Sequence, residues 1–184
     1  MRAITSIMTL GAAIALSGCV ANRTGADGAG ANSARANLLD AAGASRGTAT
    51  ISEVAGGLRL VVEGMGLPQG AHGLHIHGVG KCEAPGFTTA GPHWNPGGKM
   101  HGRDAPGGAH MGDLPNLIVG TDGRGRAEAT IADGRLTDGT MPLLDADGAA
   151  IVVHATADDY RTDPSGNSGA RIACGVFRAD QPAP

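Results

Sequence analysis

The most constraining feature of this sequence is a two-residue alternation broken at short intervals by glycine. Gly47-Thr48-Ala49-Thr50-Ile51-Ser52-Glu53-Val54 alternates in polarity and is rich in β-branched residues. Successive side chains on a strand point to opposite faces, so this pattern predicts a half-buried strand. Gly56-Gly57 supplies a tight connection, and Leu58 to Gly64 is expected to pair back as a hairpin. Further short strands are expected at Ala36–Leu39, Gly73–Gly78 after the Leu67–Gly70 turn, Leu117–Val119, Gly125–Ile131 after Asp122-Gly123, Ala149–Ala155 and Ala170–Phe177. No segment shows helical periodicity. With 32 glycines in 184 residues, the chain reads as one all-β domain. The expected architecture is a Greek-key β-barrel or sandwich of about eight antiparallel strands.

Two long stretches, Lys81 to Gly112 and Thr156 to Gly169, lack a strand pattern, and loops of that length are usually functional or disordered. The first belongs to a 43-residue window, Ala71 to Asp113, that holds six of the seven histidines. On an ideal strand His75 and His77 share a face, while His72 falls on the other and reads as structural. His93 follows a Gly91-Pro92 turn; His101, His110 and Asp113 sit on loop backbone with no core of its own. Metal ligation would fix such a loop much as a hydrophobic cluster fixes a domain. Neutral imidazoles with one carboxylate favour zinc and copper over calcium or magnesium. A net charge of −3 and very few aromatics argue against nucleic-acid binding.

The N-terminus reads as a processing signal. Arg2 gives the positive start, Ile4 to Leu16 an apolar stretch too short to span a bilayer as a mature helix, and Leu16-Ser17-Gly18-Cys19 resembles the bacterial lipobox. The expected organisation is a lipoprotein signal peptide over 1–18, a lipidated Cys19 with a flexible tether over 19–33, a folded domain over 34–179 and a short tail over 180–184. This implies membrane anchoring in a bacterial cell envelope, facing the periplasm.

The motifs His72-Gly73-Leu74-His75-Ile76-His77, Gly91-Pro92-His93-Trp94-Asn95-Pro96, His110-Met111-Gly112-Asp113, Val152-Val153-His154 and Gly169-Ala170-Arg171-Ile172-Ala173-Cys174-Gly175-Val176 together resemble the copper–zinc superoxide dismutase family. The resemblance covers roughly Asn37 to Phe177, in the family's order. It implies one copper ion per subunit bound by His75, His77, His93 and His154, and one zinc ion bound by His93, His101, His110 and Asp113, with His93 as the bridge. It implies that His93 and Arg171 are catalytic, that Asp158 orients a copper and a zinc ligand, and that His72 braces the copper loops. It also implies a Cys82–Cys174 disulfide. The substrate would be superoxide, one molecule oxidised to dioxygen and another reduced to hydrogen peroxide. The family's charged run after the copper histidine is mostly missing, so steering is expected to rest on Arg171 with help from Arg161. A non-catalytic copper/zinc-binding lipoprotein on the same scaffold is the alternative; monomer and homodimer both remain open.

Overall fold

The computed structural model describes residues 33–180. The expected signal peptide, Cys19, the expected tether up to Asn32 and the last four residues lie outside the described residues. Alternation sets the strands: β1 (Ser33–Leu39), β2 (Ser45–Val54), β3 (Gly57–Gly64), β4 (Gly70–His72), β5 (Leu74–His77), β6 (Leu117–Val119), β7 (Gly125–Ala132), β8 (Ala150–His154), β9 (Arg171–Val176) and β10 (Arg178–Ala179). The hairpin register places Ala49 opposite Val62 and Ile51 opposite Leu60. All four are buried with Ala34, Ala36 and Leu38 of β1, so one face of the sheet becomes the core. A single turn of 3-10 helix, Thr88–Ala90, is the only helical element among the described residues.

The antiparallel strands pair in the order β4-β6-β7-β3-β2-β1-β9-β8-β5, with β10 pairing to β1. The expected strand over Gly73–Gly78 is β5, and β4, which begins at the last residue of the expected Leu67–Gly70 turn, is an additional strand. β4 pairs with β6 and β5 with β8, at opposite ends of the sheet. Only Gly73 separates them in sequence, so the chain itself draws the two edges together and nearly closes the barrel. Three residues, Gly70-Ala71-His72, are too few to show an alternation, which is why β4 was not expected. The first strand starts at Ser33 instead of Ala36, because its N-terminal half pairs with both β2 and β10.

A third long connection, residues 133–149, joins β7 to β8 in addition to the two expected loops. It is fixed by buried Leu136 and Leu143 and by backbone bonds from Leu143 N–H to the Arg135 carbonyl and from Leu144 N–H to that of Leu136. β8 is buried on both faces. Ile151 and Val153 enter the barrel core, whereas Ala150 and Val152 pack with Phe87, Ala90 and Cys174 beneath the long loop. Cys82 and Cys174 form a disulfide that ties this loop to β9.

Candidate metal centre

β5 is an edge strand, and an unpaired edge must be covered. The 81–116 loop does this. Trp94 N–H bonds to the Ile76 carbonyl, Ile76 N–H to Gly112, Gly112 N–H to Trp94 and Gly78 N–H to Pro92. A Cβ on Gly112 would overlap the Ile76 carbonyl, so only glycine permits this approach. The stitching sets His77 opposite His93 and His75 opposite Asp113. Leu74 and Ile76 face the core while His75 and His77 face the loop, and all four are buried.

Four rings of the cluster are each locked by a bond on the outer nitrogen. His75 Nε2–H donates to Asp158 Oδ2 (2.6 Å), His77 Nδ1–H to the Gly91 carbonyl (2.8 Å), His101 Nε2–H to Asp158 Oδ1 (3.0 Å) and His154 Nδ1–H to the Gly169 carbonyl (3.2 Å). The opposite nitrogens are His75 Nδ1, His77 Nε2, His101 Nδ1 and His154 Nε2, all buried without a hydrogen-bond partner. Four inward lone pairs left bare would be costly in a dry interior. They could serve as the donors of a metal site, with each tautomer fixed from behind.

Two groups of donors converge. His75, His77, His93 and His154 each offer a ligand atom within 4.8 Å of the others. On the other side of His93, its Nδ1 lies 2.8 Å from Asp113 Oδ1 and 3.4 Å from His110 Nδ1. Asp113 Oδ1 is also 3.2 Å from His110 Nδ1 and 3.0 Å from His101 Nδ1. Four ligands at tetrahedral zinc distances would be about 3.3 Å apart, which these separations fit. Asp113 Oδ2 accepts from Gly102 N–H and His110 N–H, which aims Oδ1 at the rings. His75 stacks on His93 at 4.0 Å and so lies near both groups. Its Nε2 is committed to Asp158, leaving Nδ1 for the first.

Burial, with the neighbouring rings, pushes the imidazoles down: His77 to about 2, His154 to about 3 and His93 to about 4, the last against the pull of Asp113. They are neutral and ready to ligate at neutral pH. Burial alone would raise Asp113 and Asp158, but the histidine N–H and backbone N–H donors around them hold both carboxyls below the usual range. One consequence is measurable in the metal-free chain. The folded rings protonate below the unfolded value of 6.5, so their contribution is complete above about pH 6.5 and is lost as pH falls toward 4, then 3 and 2. Each ring can remove up to about 1.4 kcal/mol per pH unit. Urea unfolding from about pH 7.5 to 4.5 should show the midpoint falling with acid; a flat midpoint would contradict the burial argument.

The rings open onto a cavity of about 800 Å³ whose lining includes His77, His93, His154, Arg171, Lys99 and Asp163. Arg171 is held by donating to the carbonyls of Phe87 (2.7 Å) and Gly91 (2.8 Å). His72 lies outside the cluster on β4, its ring spanning the His154 and Pro68 carbonyls at 2.8 Å each. Arg161 is not at the cavity; its side chain is 76% exposed and sits by Asp104. Its place at the mouth is taken by Lys99, from the other loop. Sequence reasoning counted charges in the second loop and could not tell which loop would rim the cavity. It also missed Asn116 and Tyr160, whose contacts with Asp158 follow no motif.

Comparisons with known proteins agree with this geometry. Residues 45–177 match the family model for copper/zinc superoxide dismutase (SODC). A Deinococcus radiodurans protein named superoxide dismutase [Cu-Zn] is 42% identical, covering 97% of this chain and 98% of its own. The crystal structure of a SOD-like protein from Bacillus subtilis has a TM-score of 0.73 at 41% identity, over 77% of this chain and 96% of that one. The Cu/Zn superoxide dismutase from Brucella abortus has a TM-score of 0.63 at 31% identity, over 79% and 99%. A nearly closed antiparallel barrel, a doubled histidine cluster on its edge strand and a match across most of its length lead to one conclusion: the chain belongs to the copper/zinc superoxide dismutase family.

Proposed function

We propose that this protein dismutates superoxide, two superoxide anions and two protons giving dioxygen and hydrogen peroxide, with copper held by His75, His77, His93 and His154 and zinc by His93, His101, His110 and Asp113. The observation that carries this reading is the set of four buried, unpartnered ring nitrogens, each fixed by a donor bond on the far side of its ring. When bound, copper supplies one-electron redox chemistry and zinc, which has no second accessible oxidation state, a fixed charge.

The chain's own residues do the rest. Arg171, clamped to two carbonyls, keeps a fixed positive charge at the cavity, where an anion is held without reorganisation. His93 has Nδ1 at the Asp113 side, and its other nitrogen, on the copper side of the ring, would hold or release a proton whenever it is not a ligand. Asp158 keeps His75 and His101 in a single tautomer. The assay that tests the reading is superoxide removal by chain loaded with both metals. Full copper occupancy without dismutation would favour the non-catalytic metal-binding alternative.

Lys99 at the cavity mouth should steer the anion, and Arg161 should not. Lys99→Ala is expected to lower kcat/KM by about two- to fivefold at low salt, with the difference shrinking at high salt, while Arg161→Ala leaves it unchanged. Stopped-flow rates over an ionic-strength series check this; equal effects would remove Lys99 from the steering role. The lipobox-like Leu16-Ser17-Gly18-Cys19 supports anchoring to a bacterial membrane through an acylated Cys19, facing the periplasm. Cys19→Ala should then move the protein into the soluble fraction, and membrane retention would count against the anchor.

A further inference from the structure

Tyr160 has a left-handed backbone (φ 62°), a conformation shared by only three other non-glycine residues among those described. Such a residue persists only where its surroundings over-determine it. Tyr160 is held at four points. Its N–H donates to Asp158 Oδ1 (2.6 Å) and its carbonyl accepts from Asp104 N–H (3.2 Å). Its phenol oxygen accepts from Asn116 N–H (2.8 Å), and the Arg103 guanidinium lies 3.8 Å over its ring.

These partners belong to three separate parts of the chain, and each bears on the metal centre. Asn116 grips the Asp158 backbone from both sides: its Nδ2–H donates to the Asp158 carbonyl (3.0 Å), and its Oδ1 accepts from Asp158 N–H (2.8 Å). Gly102 packs so closely on the Tyr160 carbonyl that a Cβ there would overlap it. The Gly102 N–H donates to Asp113 Oδ2 (2.8 Å). Asp158 is the one carboxylate that fixes the outer nitrogens of both His75 and His101, and its loop has no strand to hold it. What places Asp158 is the Tyr160–Asn116 pair; the body of Tyr160 holds that loop against residues 101–104, alongside Asp163 Oδ1, which accepts from His101 N–H (2.6 Å), and Arg161, which sits by Asp104.

We propose that Tyr160 is a positioning residue that latches the 156–169 loop onto the 101–104 segment, keeping Asp158 behind His101 and so setting how long the zinc pocket retains its ion. The inference rests on the zinc assignment above. Phenylalanine at 160 would keep the ring beneath Arg103 and lose only the acceptor for Asn116. Glycine would accept the backbone conformation while removing the ring and the oxygen together, so loss of the latch is separated from backbone strain.

The test uses the disulfide-intact chain loaded with zinc alone and challenged with an excess of chromogenic chelator. Zinc release is expected to be about tenfold faster in Tyr160→Gly and a few-fold faster in Tyr160→Phe, the size typical of losing an outer hydrogen-bonding partner of a metal ligand. Arg178→Ala, on exposed β10 away from both segments, should release zinc at the parental rate. The melting temperature of each metal-free variant is measured alongside. Release within about twofold of the parent in both variants, or a fall in metal-free melting temperature with no change in release, would overturn the latch. If the glycine variant does not fold, the phenylalanine variant decides alone. Failure of the parent itself to retain zinc would overturn the zinc assignment, and the latch with it, whereas parental retention with unchanged variants overturns the latch only.

Discussion

Replacing His154 with alanine should lower superoxide turnover by more than about a hundredfold while leaving the barrel folded. Losing a partner behind a ligand typically costs 10–100-fold in metal affinity or activity, and losing the ligand itself should cost more. His154 ends β8 with Nε2 turned into the cluster and Nδ1–H held by the Gly169 carbonyl. The fold survives because the structural bonds at this position belong to the backbone. His72 bonds to the His154 carbonyl, and His154 N–H to the Gly73 carbonyl, both of which alanine keeps. Far-UV circular dichroism, copper content and turnover measured on one sample check this. Retained turnover at full copper occupancy would remove His154 from the copper set.

Replacing Cys82 and Cys174 with serine is the change with the largest expected effect on stability. The two are 92 residues apart, and a crosslink closing so long a loop stabilises by about 4–5 kcal/mol in the chain-entropy model. A second effect reaches the cavity. The disulfide anchors the segment carrying Phe87 and Gly91 to β9, and those two carbonyls clamp Arg171, which lies on the same strand. The variant should therefore lose activity at equal metal content as well as stability. Denaturant unfolding with both metals removed reads the first effect, and turnover at matched copper occupancy the second. A stability loss below about 1 kcal/mol would contradict the crosslink argument, and unchanged turnover would separate Arg171 from the disulfide.

What the sequence disclosed follows the physical range of each signal. The β2–β3 hairpin was legible because its alternation, its β-branched residues and the Gly56-Gly57 turn all act within a few residues. His75 and His77 were legible because a strand fixes the direction of a His-x-His pair. The short strand β4 was not, since three residues at the end of a turn are too few to carry an alternation. The 133–149 connection escaped because Leu136 and Leu143 are buried without any strand or helix period. Asn116 and Tyr160 escaped for a different reason. They act through bonds between a side chain and a distant backbone group, 42 and 44 residues away, and no side-chain spacing records such contacts. Lys99 lines the cavity where Arg161 was expected, because charge can be counted along a chain but the rim of a cavity exists only after folding.

The most direct test of the shared His93 ring is anomalous diffraction from crystals of the fully loaded protein, collected on either side of the copper and zinc absorption edges. One copper peak should lie among His75 Nδ1, His77 Nε2, His154 Nε2 and the His93 ring. One zinc peak should lie among the inner atoms of His101, His110 and Asp113, with the same His93 ring between the two at about 2.0–2.1 Å from zinc. A single metal peak, or two peaks of which only one touches His93, would contradict the bridged centre.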